Sequence, residues 1–177
     1  MIKKKAKIFI FTLVFLFGIV SIAEAYFLLG TKWGSSSVTY RRDASMNWVD
    51  TCTAAGNSWS SDVTMKENSA SKYVIYKISD SAKQWSGETN ISTAYGITTS
   101  ATTKINSYVM SNYTWTQKQS VIAHEMGHSL GLADNNGYLL FEKPEYICLM
   151  IGYDYWRNKL GVYTPKTDDR AGVNYLY

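Results

Sequence analysis

The sequence predicts an α+β fold, a mixed twisted sheet of about five strands with three helices, on three observations. Short alternating apolar and polar stretches gather in the first half of the chain, and three segments repeat apolar residues every three to four positions. The two patterns do not alternate regularly, as they would around a doubly wound parallel sheet. A length of 177 residues suits one domain with a single apolar core.

Residues 1–25 read as an export signal: Lys3, Lys4, Lys5 and Lys7 precede an apolar run over 8–22, and Ala23-Glu24-Ala25 supplies a small-x-small cleavage pattern. The run of about 15 apolar residues is shorter than the ~20 that span a bilayer. Cleavage would leave residues 26–177 as a secreted, extracellular domain with no stable membrane association. Removing four lysines and Glu24 leaves 14 basic and 13 acidic residues, so the net charge of +4 belongs mostly to the leader. No Lys/Arg-rich run remains, and nucleic acid is not an expected partner.

A strand is expected over 38–41, followed by a helix over 43–59 capped by Asp43, with Met46, Val49, Thr53 and Ala54 on one face. Residues 63–66 and 73–78 alternate as strands do. The Gly-, Ser- and Thr-rich stretch 83–99 suggests a loop leading into an irregular or edge strand, and 104–110 alternates again around Ile105 and Val109. A helix is expected over 116–132, capped by Thr116, with Val121, Ile122, Met126 and Leu130 as its apolar positions and Gly131 as its exit. Residues 135–149 have no period. The last helix is expected over 167–177, with Asp168 and Asp169 in its first turn and Ala171, Val173 and Leu176 facing inward.

The chemistry is concentrated between residues 124 and 134, which contain both histidines of the chain. Four residues apart on a helix, His124 and His128 share a face, so two imidazoles can reach one ion about 2.0–2.1 Å away. Glu125 lies about 100° around the helix from His124, within reach of a water on that ion rather than of the ion itself. Gly131 allows a sharp exit at positive φ that can bring Asp134 back as a third ligand. Three protein ligands and a fourth position for water make a catalytic zinc arrangement, so one Zn2+ is the expected cofactor. A structural calcium ion stays open and is not indicated.

The run His124-Glu125-Met126-Gly127-His128-Ser129-Leu130-Gly131-Leu132-Ala133-Asp134 resembles the long zinc-binding motif of the metzincin metalloproteases, in the Asp-ligand version of the snapalysin-like enzymes. The preceding residues 120–123 resemble the start of the zinc helix in matrixin-type enzymes, and Cys148-Leu149-Met150 lies where a metzincin places its Met-turn, Met150 being 22 residues after His128. The ends of the mature chain, 30–40 and 165–177, resemble those of the same enzymes. The resemblance implies a zincin-like metzincin catalytic domain divided into subdomains at about 26–131 and 132–177. It implies Glu125 as general base and then acid, Met150 as an apolar floor beneath the metal, and Tyr153 or Tyr155 as candidate hydrogen-bond donors to the developing oxyanion. It also implies an extended protein or peptide substrate paired with an edge strand within 87–99.

Asp134 in place of a third histidine adds a negative charge to the metal shell, which favours activity at neutral to alkaline pH. Cys52 and Cys148 can form at most one disulfide after export. A monomeric secreted zinc endopeptidase is the leading expectation. The alternative is a secreted zinc-containing binding module or toxin-like factor without proteolytic activity, and Glu125 favours the enzyme because a pure binding module has no chemical need for that carboxylate.

Overall fold

The computed structural model describes residues 26–135 and 147–177. The leader over 1–25 and most of the irregular stretch 135–149 lie outside the described residues. The fold is mixed α/β, with five strands in one mixed sheet and, among the described residues, four helices rather than three. The strands are β1 (Ser37–Arg42), β2 (Thr64–Glu67), β3 (Tyr73–Ile78), β4 (Gly87–Ala94) and β5 (Ile97–Asn106). The helices are α1 (Val49–Asn57), α2 (Trp115–Leu130), α3 (Asp154–Lys159) and α4 (Thr167–Leu176). No helix among the described residues is long and apolar enough to cross a membrane.

The sheet order is β2-β1-β3-β5-β4, parallel except for β4, which runs antiparallel to β5 along one edge. Period-two burial builds it: Val38 and Tyr40 in β1, and Tyr73 and Ile75 in β3, point into the core. In β5 the buried set changes phase, from Thr98 to Ala101, Thr103 and Ile105, because the β4–β5 register shifts beside Ser92.

Stretch 83–99 therefore forms a regular strand and a hairpin, and β5 begins seven residues before the strand expected over 104–110. Tyr95 and Gly96 turn the chain with φ of 52° and 75°, the geometry of a two-residue type I′ turn. Val109 lies past the end of the strand.

The first helix is shorter than expected and rotated. Asp43 does not cap it; its carboxylate accepts the Ser45 N–H at 3.0 Å in a turn, and Met46 is buried in that connection. The inward face is Thr51, Cys52, Ala55 and Gly56, whereas Val49 is 45% exposed and Thr53 points to solvent. Small residues win this face because α1 passes close over β1: a Cβ on Gly56 would lie 3.2 Å from the Tyr40 ring. Trp59, fully buried just after α1, donates its indole N–H to Ala123 O of α2 at 3.1 Å and ties the two helices together.

Helix α2 starts one residue earlier than expected and ends two residues earlier. Thr114, not Thr116, is its cap, and Thr114 and Gln117 exchange side-chain-to-backbone bonds in a capping box. From Gln119 to Leu130 nearly every residue is buried. In α4, Val173 and Leu176 face inward, while Ala171 is exposed because Gly172 takes the close contact with Leu132 and Tyr26.

Candidate metal centre

Helix α2 carries His124 and His128 on one face, with imidazole centroids 4.6 Å apart and rings at 83°. At Gly131 the chain leaves the helix with φ 106°, where a Cβ would sit 2.1 Å from Thr31 O. Both the backbone conformation and the contact require glycine there. The exit is then held on both sides. Leu29 N–H donates to Gly131 O, Ala133 N–H to Phe27 O, and Asn135 N–H to Met150 O at 2.7 Å. Between these supports Asp134 turns back, and its Oδ1 lies 3.3 Å from Nε2 of both His124 and His128.

That spacing fits a zinc ion. Atoms about 2.0–2.1 Å from a common centre at the tetrahedral angle lie about 3.3–3.4 Å from one another. The tautomers fit as well. His124 Nδ1 is 3.0 Å from Leu149 O and His128 Nδ1 is 2.9 Å from Leu132 O. A carbonyl only accepts, so each Nδ1 carries the proton and each neutral ring turns an Nε2 lone pair toward Asp134. Three lone pairs converging this way suit a shared cation.

The electrostatics differ from one side chain to the next: His124 is held neutral, Asp134 is held ionised, and His128 is drawn towards a positive charge by the carboxylates around it. Burial, aided by the Arg157 guanidinium, pulls His124 down to about 3. Burial also opposes charge on His128, but the Asp134 and Glu125 carboxylates outweigh it and raise that imidazole. Burial alone would raise the Asp134 carboxyl; the two imidazoles hold it well below the carboxylate range.

Glu125 also has a carboxylate oxygen within 4.8 Å of the histidine nitrogens. One of its oxygens, Oε2, is engaged by the Thr89 hydroxyl at 2.8 Å, whereas Asp134 Oδ1 lies 3.3 Å from both imidazole Nε2 atoms. Burial raises the Glu125 carboxyl against the opposing pull of His128 and Thr89. Together with His124 it lines a cleft of about 360 Å3, bounded on one side by residues 84–87 and on the other by Gly152, Tyr153, Asp154 and Arg157.

Met150 is buried below α2 between the two histidine turns. A Cβ on Gly127 would lie 2.4 Å from its Sδ, so the glycine between Glu125 and His128 is what lets the sulfur in. The segment is fixed by Asp169, whose carboxylate accepts from Leu149 N (2.7 Å), Met150 N (3.0 Å) and Lys166 N (2.7 Å). Leu149 O in turn orients His124, so α4 reaches the centre through two hydrogen bonds. Asp169 was expected only to favour the helix dipole; it is buried, and burial pushes its carboxyl up to about 6.

Tyr153 lines the cleft, but Tyr155 does not. Asp154 and Arg157, three apart on α3, face the cleft and turn Tyr155 outward, edge-on against Trp156. The proposed Cys52–Cys148 bridge is absent, and both are buried free thiols. They occupy different neighbourhoods: Cys52 sits near Arg42 and Glu67, Cys148 near Asp168 and Asp169.

Sequence reasoning also missed Arg157, Gly87 and Thr89. Arg157 is fully buried, donates to Ile151 O and Ser120 Oγ, and lies against His124. No local pattern marks these three, since their partners at the site are 33 to 38 residues away in sequence.

No protein-family model matches the sequence, and no curated protein matches it. Among solved structures the chain is similar to high choriolytic enzyme 1, a hatching enzyme zinc-protease from the medaka fish Oryzias latipes, at 13% identity and a TM-score of 0.34. That likeness covers 66% of this chain and 54% of the other, so this chain spans about half the length of the hatching enzyme.

Proposed function

We propose that this chain is a secreted, monomeric zinc endopeptidase of the metzincin type, resembling the matrixin-like and snapalysin-like enzymes in its motif. On this reading residues 1–25 are an export signal and 26–177 form the catalytic domain, with subdomains at about 26–131 and 132–177. The observation that supports it most is the 3.3 Å spacing of Asp134 Oδ1 from both histidine Nε2 atoms, with the buried carboxylate of Glu125 beside them in the cleft.

His124, His128 and Asp134 would hold the zinc. When bound, zinc supplies a Lewis acid that polarises the scissile carbonyl and acidifies a water. Glu125 takes the proton from that water as it attacks and returns it to the leaving amine nitrogen, so one carboxylate serves first as base and then as acid. Its burial keeps bulk water away and its raised proton affinity suits both transfers. Tyr153, which lines the cleft, is the candidate donor to the developing oxyanion. An extended peptide can add to the outer edge of β4, which pairs with no other strand among the described residues and borders the cleft at Gly87.

The test compares wild type with Glu125→Gln on a protein substrate, with zinc content measured and with a chelator arm. Wild type should cleave, lose activity to the chelator and regain it with zinc, while Glu125→Gln should retain zinc and lose at least about a hundredfold in rate. A variant that keeps zinc and cleaves as fast as wild type would refute the mechanism. Zinc-loaded wild type that cleaves nothing would favour the binding-module alternative.

A further inference from the structure

We propose that Thr89 and Gly87, neighbours on the inner face of β4, position the Glu125 carboxylate, Thr89 by anchoring one oxygen and Gly87 by leaving room for the other. This rests on the reading of Glu125 as the general base. The two residues are i and i+2 on one strand, so they face α2 together. A Cβ on Gly87 would lie 2.6 Å from both Cγ and Oε1 of Glu125, so Oε1 rests against bare backbone at the mouth of the cleft. Thr89 Oγ1 lies 2.8 Å from Oε2, 3.1 Å from Glu125 O and 2.7 Å from Thr103 Oγ1.

A threonine hydroxyl has one proton to give. The carboxylate is its best acceptor, being charged and close. The chain behind it then has one direction: Tyr73 OH donates to Thr103 Oγ1 at 3.0 Å, Thr103 donates to Thr89, and Thr89 donates to Glu125. Tyr73 and Thr103 are completely buried, and burial keeps the Tyr73 phenol protonated as the first donor.

With Oε2 held, the side chain cannot swing, and Oε1 is the oxygen left for proton transfer. The strand that borders the substrate thereby also holds the base. A general base must lie within about 2.6–3.2 Å of its proton, and a displacement of about 1 Å can cost a hundredfold in rate.

Three zinc-loaded variants test this: Thr89→Val, which keeps shape and removes the donor, Thr89→Ser, which restores it, and Thr103→Val, which cuts the chain one step back. Thr89→Val should lower kcat by about tenfold to a hundredfold with KM within about twofold, and Thr89→Ser should recover most of the loss. Thr103→Val should lower kcat by a smaller factor, and it carries the decision if Thr89→Val does not fold. Crystals of the metal-free Thr89→Val protein should show the Glu125 carboxylate moved from its place beside Gly87. Wild-type kcat in Thr89→Val, equal losses in the Val and Ser variants, or an unmoved Glu125 would each overturn the proposal. If wild type cleaves no substrate the peptidase reading fails, whereas the crystals still decide the clamp.

Discussion

Gly127→Ala tests whether the metal helix and the Met150 segment are fitted to each other. At an unhindered mid-helix site, alanine is favoured over glycine by about 1 kcal/mol. Here the added Cβ would meet Met150 Sδ at 2.4 Å, Trp59 Cζ2 at 3.0 Å and Met150 Cε at 3.3 Å. Ordinary contacts are about 3.5–4.0 Å, so the sulfur must retreat by more than about 1 Å. Neither neighbour yields easily: Trp59 is tied to Ala123 O, and the Met150 backbone is held at its N–H by Asp169 and at its carbonyl by Asn135.

Overpacking in such a place costs about 2–3 kcal/mol, the upper part of its usual range, which leaves a net loss of about 1–2 kcal/mol after the helix gain. Removing the sulfur removes the larger conflict and leaves only the 3.0 Å approach to Trp59 Cζ2. In a Met150→Ala background, itself about 2–5 kcal/mol less stable, Gly127→Ala should become about neutral, the helix gain of about 1 kcal/mol offsetting the remaining crowding. The cycle should therefore show a coupling of about 1–2 kcal/mol. Urea unfolding of the four proteins at fixed zinc concentration measures it. Greater stability of the single Gly127→Ala variant than wild type, or additive behaviour of the pair, would refute the close fit.

Gly131→Ala should cost more than about 3 kcal/mol in the same assay, because φ 106° is strained for any side chain and the Cβ would strike Thr31 O, a backbone atom with nowhere to go. Asp134→Ala should weaken zinc binding at least about a hundredfold in a chelator competition while leaving far-UV circular dichroism unchanged; unaltered affinity would remove Asp134 from the ligand set. Asp169, at about 6 in the fold against an ordinary 3.8, holds a proton between those values that the unfolded chain has lost. Its contribution is thus full below pH 3.8 and lost as pH rises through 6, by up to about 3 kcal/mol, and Asp169→Asn should flatten that part of the stability–pH curve in metal-free protein. Equal slopes for the two proteins would contradict the assignment.

Several elements are hidden from the sequence because remote neighbours define them. Val49 is the more hydrophobic residue of α1, yet Ala55 and Gly56 face the sheet, where only small residues fit over Tyr40. Strand β4 is hard to read because Gly87, Glu88, Thr89 and Asn90 lack an apolar alternation; the first part of its inner face packs against Glu125, and only Ile91 reaches the apolar core. Tyr95-Gly96 makes a type I′ turn without the usual Asn or Asp. A count of two cysteines permits a Cys52–Cys148 bridge, but in the fold both are buried free thiols.

From the sequence by itself came the helix that carries His124, Glu125 and His128, the glycine exit at 131 and the candidate third ligand at 134. These are legible because helical spacing and positive-φ turns are local, set by neighbours a few residues apart. Only the tertiary structure decided that Asp134 comes within 3.3 Å of both imidazoles, that Asp169 holds the segment orienting His124, and that Gly87 and Thr89 enclose Glu125. Those contacts join residues brought together by the order of strands in the sheet and the packing of helices on it, and no local period in the chain encodes them.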